Sequence, residues 1–302
     1  MRRLFAYIVF AAAVATAKAD VWMKDAQPSS SSVYADEKTM ATLKAEYTAW
    51  HKPKDQKKDK PYIREDKFIL QIGNGSSYYY DPQTFYVDSL ENDPTGKAIR
   101  DQAMSDALRE FSETGADAFA IMKEKGLLPE SQYKCRKDFS ENSITVWDSN
   151  SADRYQYNVA MDDLVWELND STATVFEYEC NLATADYHGR KWKAWFALDV
   201  PVQDGPWQLC GLPGLIMKAE TDDGEYGFII TGLQQCHEPL KPIFIDPERL
   251  FKTKRKSFLK TKDYTRRNRS AYISAMTKGA VKVNADYTGT DDFLETDYHE
   301  DI

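Results

Sequence analysis

Apolar and polar positions alternate with a period near two along much of the second half of the chain. SITVWD from Ser143, YQYNVAM from Tyr155, LVWELN from Leu164, ATVFEYEC from Ala173, YHGRKWKAWFAL from Tyr187, LIMKAE from Leu215 and YGFIITGL from Tyr226 are all short, with polar turns between them. That spacing predicts an antiparallel meander. His188-Gly189 and Asp222-Asp223-Gly224 supply its turn chemistry. Earlier, KFILQIG at 67–73 and SYYYD at 77–81 flank Asn74-Gly75, a hairpin dipeptide. Three stretches carry helical spacing instead. Met40, Leu43, Tyr47 and Trp50 predict a helix over 37–50. Ile99, Ala103, Ala107, Leu108 and Phe111, then Phe119 and Met122, predict helix over 97–125, divided at Gly115 and stopped by Gly126 and Pro129. Asp246-Pro247 starts a third, over 247–278. The fold class read from this pattern is mainly β (α+β). A curved antiparallel sheet or incomplete β-barrel spans about 66–236, flanked by N-terminal, inserted and C-terminal helices.

The first residues change the picture of where this fold works. Arg2 and Arg3 precede the apolar run LFAYIVFAAAVA, and Ala17-Lys18-Ala19 offers a small-x-small cleavage site. Residues 1–19 therefore read as a secretory signal peptide, too short for a comfortable membrane span. No cysteine lies at the cut, so no lipid anchor is expected there. The expected mature protein is periplasmic or secreted, with a single domain over 20–285 and an acidic tail over 286–302. Losing Arg2, Arg3 and Lys18 moves the formal charge from −9 to −12. That balance argues against nucleic acid as a partner. The exception is local: nine Lys or Arg fall between Lys252 and Arg269. This basic helix could lie on an anionic membrane, or dock on the sheet with a solvated basic face. The charged stretch 51–61, with two prolines, reads as a solvated linker.

Chemistry is sparse. Cys135, Cys180, Cys210 and Cys236 are an even count in an oxidising compartment, so two disulfides are expected. Three connectivities are possible; folding the chain about Asp223 sets Cys210 opposite Cys236 and so favours that pair, leaving Cys135 with Cys180. The four histidines His51, His188, His237 and His299 lack metal-ligand spacing, and no cofactor or metal site is expected. No nucleophile elbow or phosphate loop is present, so no catalytic residue is assigned. Asp163, Glu167, Asp199 and Asp204 sit near strand ends, where a glycosidase would need two carboxylates roughly 5–9 Å apart. Trp192, Trp195 and Trp207, with Phe196, are the ligand-binding candidates, since flat rings grip sugars or apolar chains. Core packing is the alternative role. Trp192 and Phe196 share a strand face, and Trp195 points the other way.

One stretch interrupts the strands. CGLPGLIM, residues 210–217, resembles the signature of the GLPGLI family of Gram-negative envelope proteins. Tyr178-Glu179-Cys180, Ala183, Gly189-Arg190, Ala194-Trp195-Phe196, Asp199-Val200-Pro201, Gly205-Pro206 and Asp223-Gly224-Glu225 follow the family's order, and LQIGNGSSYYY at 70–80 looks like its N-terminal segment. The resemblance implies a secreted or periplasmic protein, with no reaction, substrate or catalytic residue to carry over. For Gly211, Leu212, Pro213, Gly214, Leu215 and Ile216 themselves, turn chemistry predicts a type II turn, with Pro213 second and Gly214 at positive φ. A structural corner and a binding loop both remain open. The expected function is a non-enzymatic binding or carrier module for an apolar, peptide or glycan ligand. An envelope hydrolase and an accessory partner of an outer-membrane assembly are the alternatives.

Overall fold

The computed structural model describes residues 32–34, 39–52, 63–150 and 153–268. The expected signal peptide over 1–19, the stretch from there to Ser32, most of the charged linker, the end of the predicted C-terminal helix and the acidic tail lie outside these residues. Fourteen strands and four α-helices are described. In chain order the strands are β1 (Ser32–Tyr34), β2 (Met40–His51), β3 (Arg64–Gly73), β4 (Ser76–Tyr80), β5 (Lys134–Asp138), β6 (Ser143–Asn150), β7 (Asp153–Ala160), β8 (Glu167–Val175), β9 (Tyr178–Tyr187), β10 (Arg190–Ala197), β11 (Leu215–Thr221), β12 (Tyr226–Pro239), β13 (Ile243–Ile245) and β14 (Leu250–Lys252). Helices α1 (Pro82–Glu91), α2 (Pro94–Thr114) and α3 (Ala118–Glu124) are inserted between β4 and β5, and α4 (Arg255–Arg267) follows β14.

Twelve strands form one sheet in the order β14-β7-β6-β5-β4-β3-β2-β12-β11-β10-β9-β8. It consists of two meanders. The first runs outward from β2 to β7, and the second runs inward from β8 to β12. They join where β2 pairs with β12, from Tyr226↔His51 to Pro239↔Met40. Every described pairing in the sheet is antiparallel except β14 with β7, which makes the sheet mixed. The edge strands β14 and β8 are not joined, so the sheet stays open rather than closing into a barrel. β1 and β13 form a separate two-stranded sheet.

The segment predicted as an N-terminal helix is strand β2. Ala41, Ala45, Tyr47 and Ala49 are buried, Leu43 is half-buried, and Thr42 and Glu46 are exposed. The period is two, written largely in alanines, while four bulkier residues fall by chance at helical intervals. Alanine suits this strand because its inner face lies against neighbours that fill the space, notably Phe68 and Leu70 opposite Tyr47 and Ala45. The hairpin dipeptides behave as expected: Gly75, His188, Gly189 and Gly224 all have positive φ. The inserted helices also break where expected, with Gly115 capping α2 in the left-handed conformation. The predicted C-terminal helix starts late. Asp246 caps a short 3-10 turn (Pro247–Arg249), β14 then adds to β7, and α4 begins only at Arg255.

The main core lies on one face of the sheet and draws on nearly all of its strands, with Phe258 and Leu259 of α4 covering one end against Tyr155 and Tyr157. β4 is buried on both faces. Tyr79 enters the main core, while Tyr78 and Tyr80 point to a second cluster with Trp147, Ile243 and Ile245 beneath α1. Asp81 caps α1 there, its carboxylate accepting the Thr84 N–H at 2.6 Å. No described helix is long and apolar enough to cross a membrane.

Asp81 makes stability depend on pH. Burial pushes its carboxyl up to about 6, against the opposing pull of the Thr84 N–H. Between the ordinary aspartate value near 4 and 6, the folded chain holds a proton that the unfolded chain releases, so stability falls as pH rises through that window. Asp81→Asn keeps a cap acceptor and removes the titration. Urea midpoints from pH 4 to 7 should show wild type losing about 2–3 kcal/mol across the window. The variant should show only the smaller slope left by Asp66, which burial also raises. Equal slopes in the two proteins would refute the assignment.

Candidate functional site

The connection between β10 and β11, residues 198–214, starts at the surface, with Leu198, Asp199, Pro201 and Gln203 exposed, and then turns inward. Asp204 to Cys210 are seven consecutive buried residues, and the segment packs into the main core as a plug. Buried backbone must satisfy its own polar groups. Here it does so with short local bonds: Asp204 N to Val202 O, Leu209 N to Pro206 O, Gly211 N to Gln203 O, Leu215 N to Val200 O and Ile216 N to Asp204 O, at 2.8 to 3.1 Å.

Two groups of side chains hold the plug. Lys137 of β5 is 1% exposed and reaches Asp204 Oδ1 at 2.6 Å, the Gly205 carbonyl at 2.6 Å and the Leu209 carbonyl at 3.1 Å. Burial opposes its charge, but Asp204 and the nearby thiols of Cys210 and Cys135 outweigh that, so the ammonium is held above its usual range. Asp204 Oδ1 also accepts the Gly205 N–H at 2.7 Å, while its Oδ2 has no hydrogen-bond partner among the described residues. Tyr47 of β2 donates to the Ile216 carbonyl at 2.7 Å. The second group centres on Gln208, fully buried. Its amide donates to the Tyr133 hydroxyl at 3.2 Å, and its oxygen meets Tyr187 at 3.2 Å and His188 Nε2 at 3.0 Å.

The sequence-predicted site residues fall around this plug. Trp192 and Trp207 are buried in it, ring centroids 5.5 Å apart and both against Phe228. Trp207 holds a left-handed φ of 54°, uncommon for a bulky residue. Trp195 packs half-buried from the opposite face of β10, as alternation requires. Asp163, Glu167 and Asp199 are exposed and Asp204 is consumed by Lys137, so these carboxylates are not brought together. His51 stacks on Tyr226 and lies 3.6 Å from Glu225, which also pairs with Arg190 at 2.9 Å. That cluster gathers Gly189-Arg190 and Asp223-Gly224-Glu225 into one lock at the ends of two hairpins, with the guanidinium 4.3 Å over the Tyr226 ring. Among the described residues no group of His, Cys, Asp and Glu could hold a metal ion.

Two expectations need correction. Gly214 is not the left-handed residue of a type II turn; Gly211 takes positive φ, at 90°. Gly214 is required by crowding, since a Cβ there would lie 2.0 Å from the Ala197 carbonyl oxygen. Leu212, Leu215 and Ile216 are buried, and Pro213 is exposed. The four cysteines are free, with neither Cys210–Cys236 nor Cys135–Cys180 joined. β11 pairs with β12 as Lys218↔Ile229, Ala219↔Phe228 and Glu220↔Gly227, one residue off the expected axis. A one-residue slip reverses which face each side chain takes. Cys210 moreover sits in the plug rather than on a strand.

Lys137, Gln208, Tyr47 and Tyr133 escaped the sequence reading. Lys137 had a faint signal, because Cys135 and Lys137 share a strand face and a lysine in the inward phase demands a buried carboxylate.

Residues 187–218, from the end of β9 through the plug into β11, match a family model described as protein of unknown function (Porph_ging). No curated protein matches the chain. Two crystal structures of PNGF-II are similar over 75% of this chain at 11% identity, with TM-scores of 0.46 and 0.45. The chain covers 34% and 33% of those longer chains, about a third of their length.

Loss of the plug's anchors should unfold the protein rather than spare it. Lys137→Met leaves a buried carboxylate unpaired and should cost about 3–5 kcal/mol in denaturant unfolding, and adding Asp204→Leu should recover most of that. In the motif, Leu215→Ala should cost about 2–5 kcal/mol. Gly214→Ala should cost about 1–3 kcal/mol through overpacking, and Gly211→Ala about 1–2 kcal/mol through its backbone angle alone. Wild-type melting in all of these variants would refute a structural role for the plug.

Proposed function

We propose that this protein is a non-enzymatic binding module of the cell envelope, exported by residues 1–19, whose ligand is an extended polypeptide laid along the free edge of β8. The observation that carries this reading is β8 itself. It ends the sheet, and Glu167 to Thr172 are exposed on both faces in an unbroken run. An edge strand offers unpaired N–H and C=O groups to an incoming strand, and alternate side chains supply selectivity. Leu168 on the strand and Val165, two residues before its start, are 68% and 71% exposed and serve as apolar anchors. A filled core points the same way. With Trp192 and Trp207 packed against the plug, the aromatics that could have lined a ligand cavity are committed to the interior.

The tip of the β8–β9 hairpin supports the reading. Phe176 and Glu177 join Val175 to Tyr178 with φ of 47° and 71°. A two-residue loop of that kind favours Asn-Gly, because other residues resist positive φ. A strained pair presenting a half-exposed phenyl ring beside an open edge fits a contact retained for binding rather than for stability. Glu167 and Asp170 on the edge discourage pairing between copies of this acidic chain and favour a ligand with basic residues.

Native mass spectrometry of the full-length protein isolated from its own envelope tests this. Wild type should retain a polypeptide, and Leu168→Asp should lose at least tenfold of it with its melting temperature unchanged. Replacing Phe176 and Glu177 together by Asn and Gly should stabilise the fold by about 1–2 kcal/mol per relieved residue while weakening retention. A lipid or glycan retained instead, or a polypeptide held equally by all three proteins, would overturn the proposal.

A further inference from the structure

We propose that Cys135 and Cys210 are a disulfide-forming pair that clamps the plug to β5 when the chain folds in an oxidising compartment. The argument is one of placement. Cys135 and Lys137 are alternate residues of β5 and project from the same face. Across that face the plug is fastened at two residues just before Cys210. The Cys135 thiol donates to the Trp207 carbonyl at 3.2 Å, and the Lys137 ammonium donates to the Leu209 carbonyl at 3.1 Å. Cys210 follows Leu209 directly, and its own carbonyl accepts the Trp166 indole N–H at 2.8 Å. Both thiols are buried in the main core. Each feels the Lys137 ammonium and the Asp204 carboxylate, and Cys210 acts on Cys135 directly. Cys180, on β9, turns its thiol toward the Tyr178 carbonyl at 3.6 Å, and Cys236 lies half-exposed on β12.

The chemistry fixes when the bond forms. A thiolate, not a thiol, is the nucleophile. With a disulfide oxidant such as oxidised glutathione, one protein thiolate attacks the S–S bond, forms a mixed disulfide and releases a glutathione thiolate. The second protein thiolate attacks the protein sulfur of that mixed disulfide and releases the second glutathione. Two protein thiols lose two protons and two electrons, and glutathione disulfide takes up both electrons. Once the plug is seated, burial pushes the Cys135 thiol up to about 12 and that of Cys210 to about 11, so the folded protein offers few thiolates. The bond therefore closes before the plug is sealed.

The test is to refold the full-length protein from denaturant in reduced and oxidised glutathione, alkylate it, digest it and map the peptides. A cross-linked peptide pair containing Cys135 and Cys210 is expected. The oxidised protein should melt about 10 °C above the same sample kept in dithiothreitol, since the bond closes a long loop in the unfolded chain. Cys135→Ser and Cys210→Ser should each abolish that gain, and a Cys180→Ser/Cys236→Ser double variant should keep it. Peptide mapping of wild type needs no variant to fold. Alkylated Cys135 and Cys210 after oxidative refolding, a link to either other cysteine, or a gain that survives Cys210→Ser would overturn the proposal.

Discussion

An ammonium and a carboxylate are buried together beneath a loop, and the rest of this fold is arranged around them. A sheet with one apolar face needs something to cover it. Most proteins use helices or a second sheet, whose backbones satisfy themselves. Here part of the filling is an irregular connection whose residues Asp204 to Cys210 are all buried, which brings polar backbone into the core. Lys137 resolves the conflict by donating to two of its carbonyls, and Asp204 balances the lysine while also accepting the Gly205 N–H. An ion pair of this kind contributes less to net stability than its geometry suggests, because both charges have been taken out of water. Its role is to specify one seating for a loop that apolar contacts alone would hold loosely.

The same logic explains why motif residues far apart in sequence belong together. Gly205 accommodates Ile216, whose side chain would meet any Cβ there at 2.8 Å. Gly214 lets the chain pass the end of β10, and Gly211 makes the turn between them. Arg190 and Glu225 close the hairpins that carry the two strands bordering the plug. Each is a local answer to one demand: irregular backbone brought within van der Waals contact of a sheet.

Much of the sheet could be read from the chain because alternation and turn dipeptides are local signals. Strands β3, β4, β6, β7, β10, β11 and the start of β12, the break at Gly115 and the opposite faces of Trp192 and Trp195 all follow from them, whereas β5 and the turn at Phe176-Glu177 gave no such signal. The failures share a cause. β2 was misread because its inward residues are mostly alanine, whose small side chain gives almost no amphipathic contrast, while Met40 and Trp50 supplied a helical coincidence. The plug was read as a corner because proline and glycine announce a turn without revealing that the chain beside it is buried. Gly214 could not be separated from Gly211, since crowding against Ala197 is a tertiary fact. Gln208 and Tyr133 are ordinary residues by any local measure, and only their meeting makes a network.

The seam between the two meanders has a consequence for the order in which the chain can assemble. β2 and β12 lie at opposite ends of the sheet's sequence, with Tyr226 paired to His51 and Pro239 to Met40. Each meander can zip up from its own hairpins, but the seam closes only after the 174 residues between His51 and Tyr226 have been brought round, a loop whose entropy must be overcome before any contact rewards it. The plug belongs to the second meander and its lysine anchor to the first, so neither half can finish its core alone. A chain emerging N-terminus first would hold an open, half-built sheet with one edge of β2 unpaired until Tyr226 and the residues after it had emerged. Slow, late-closing folding is built into this topology.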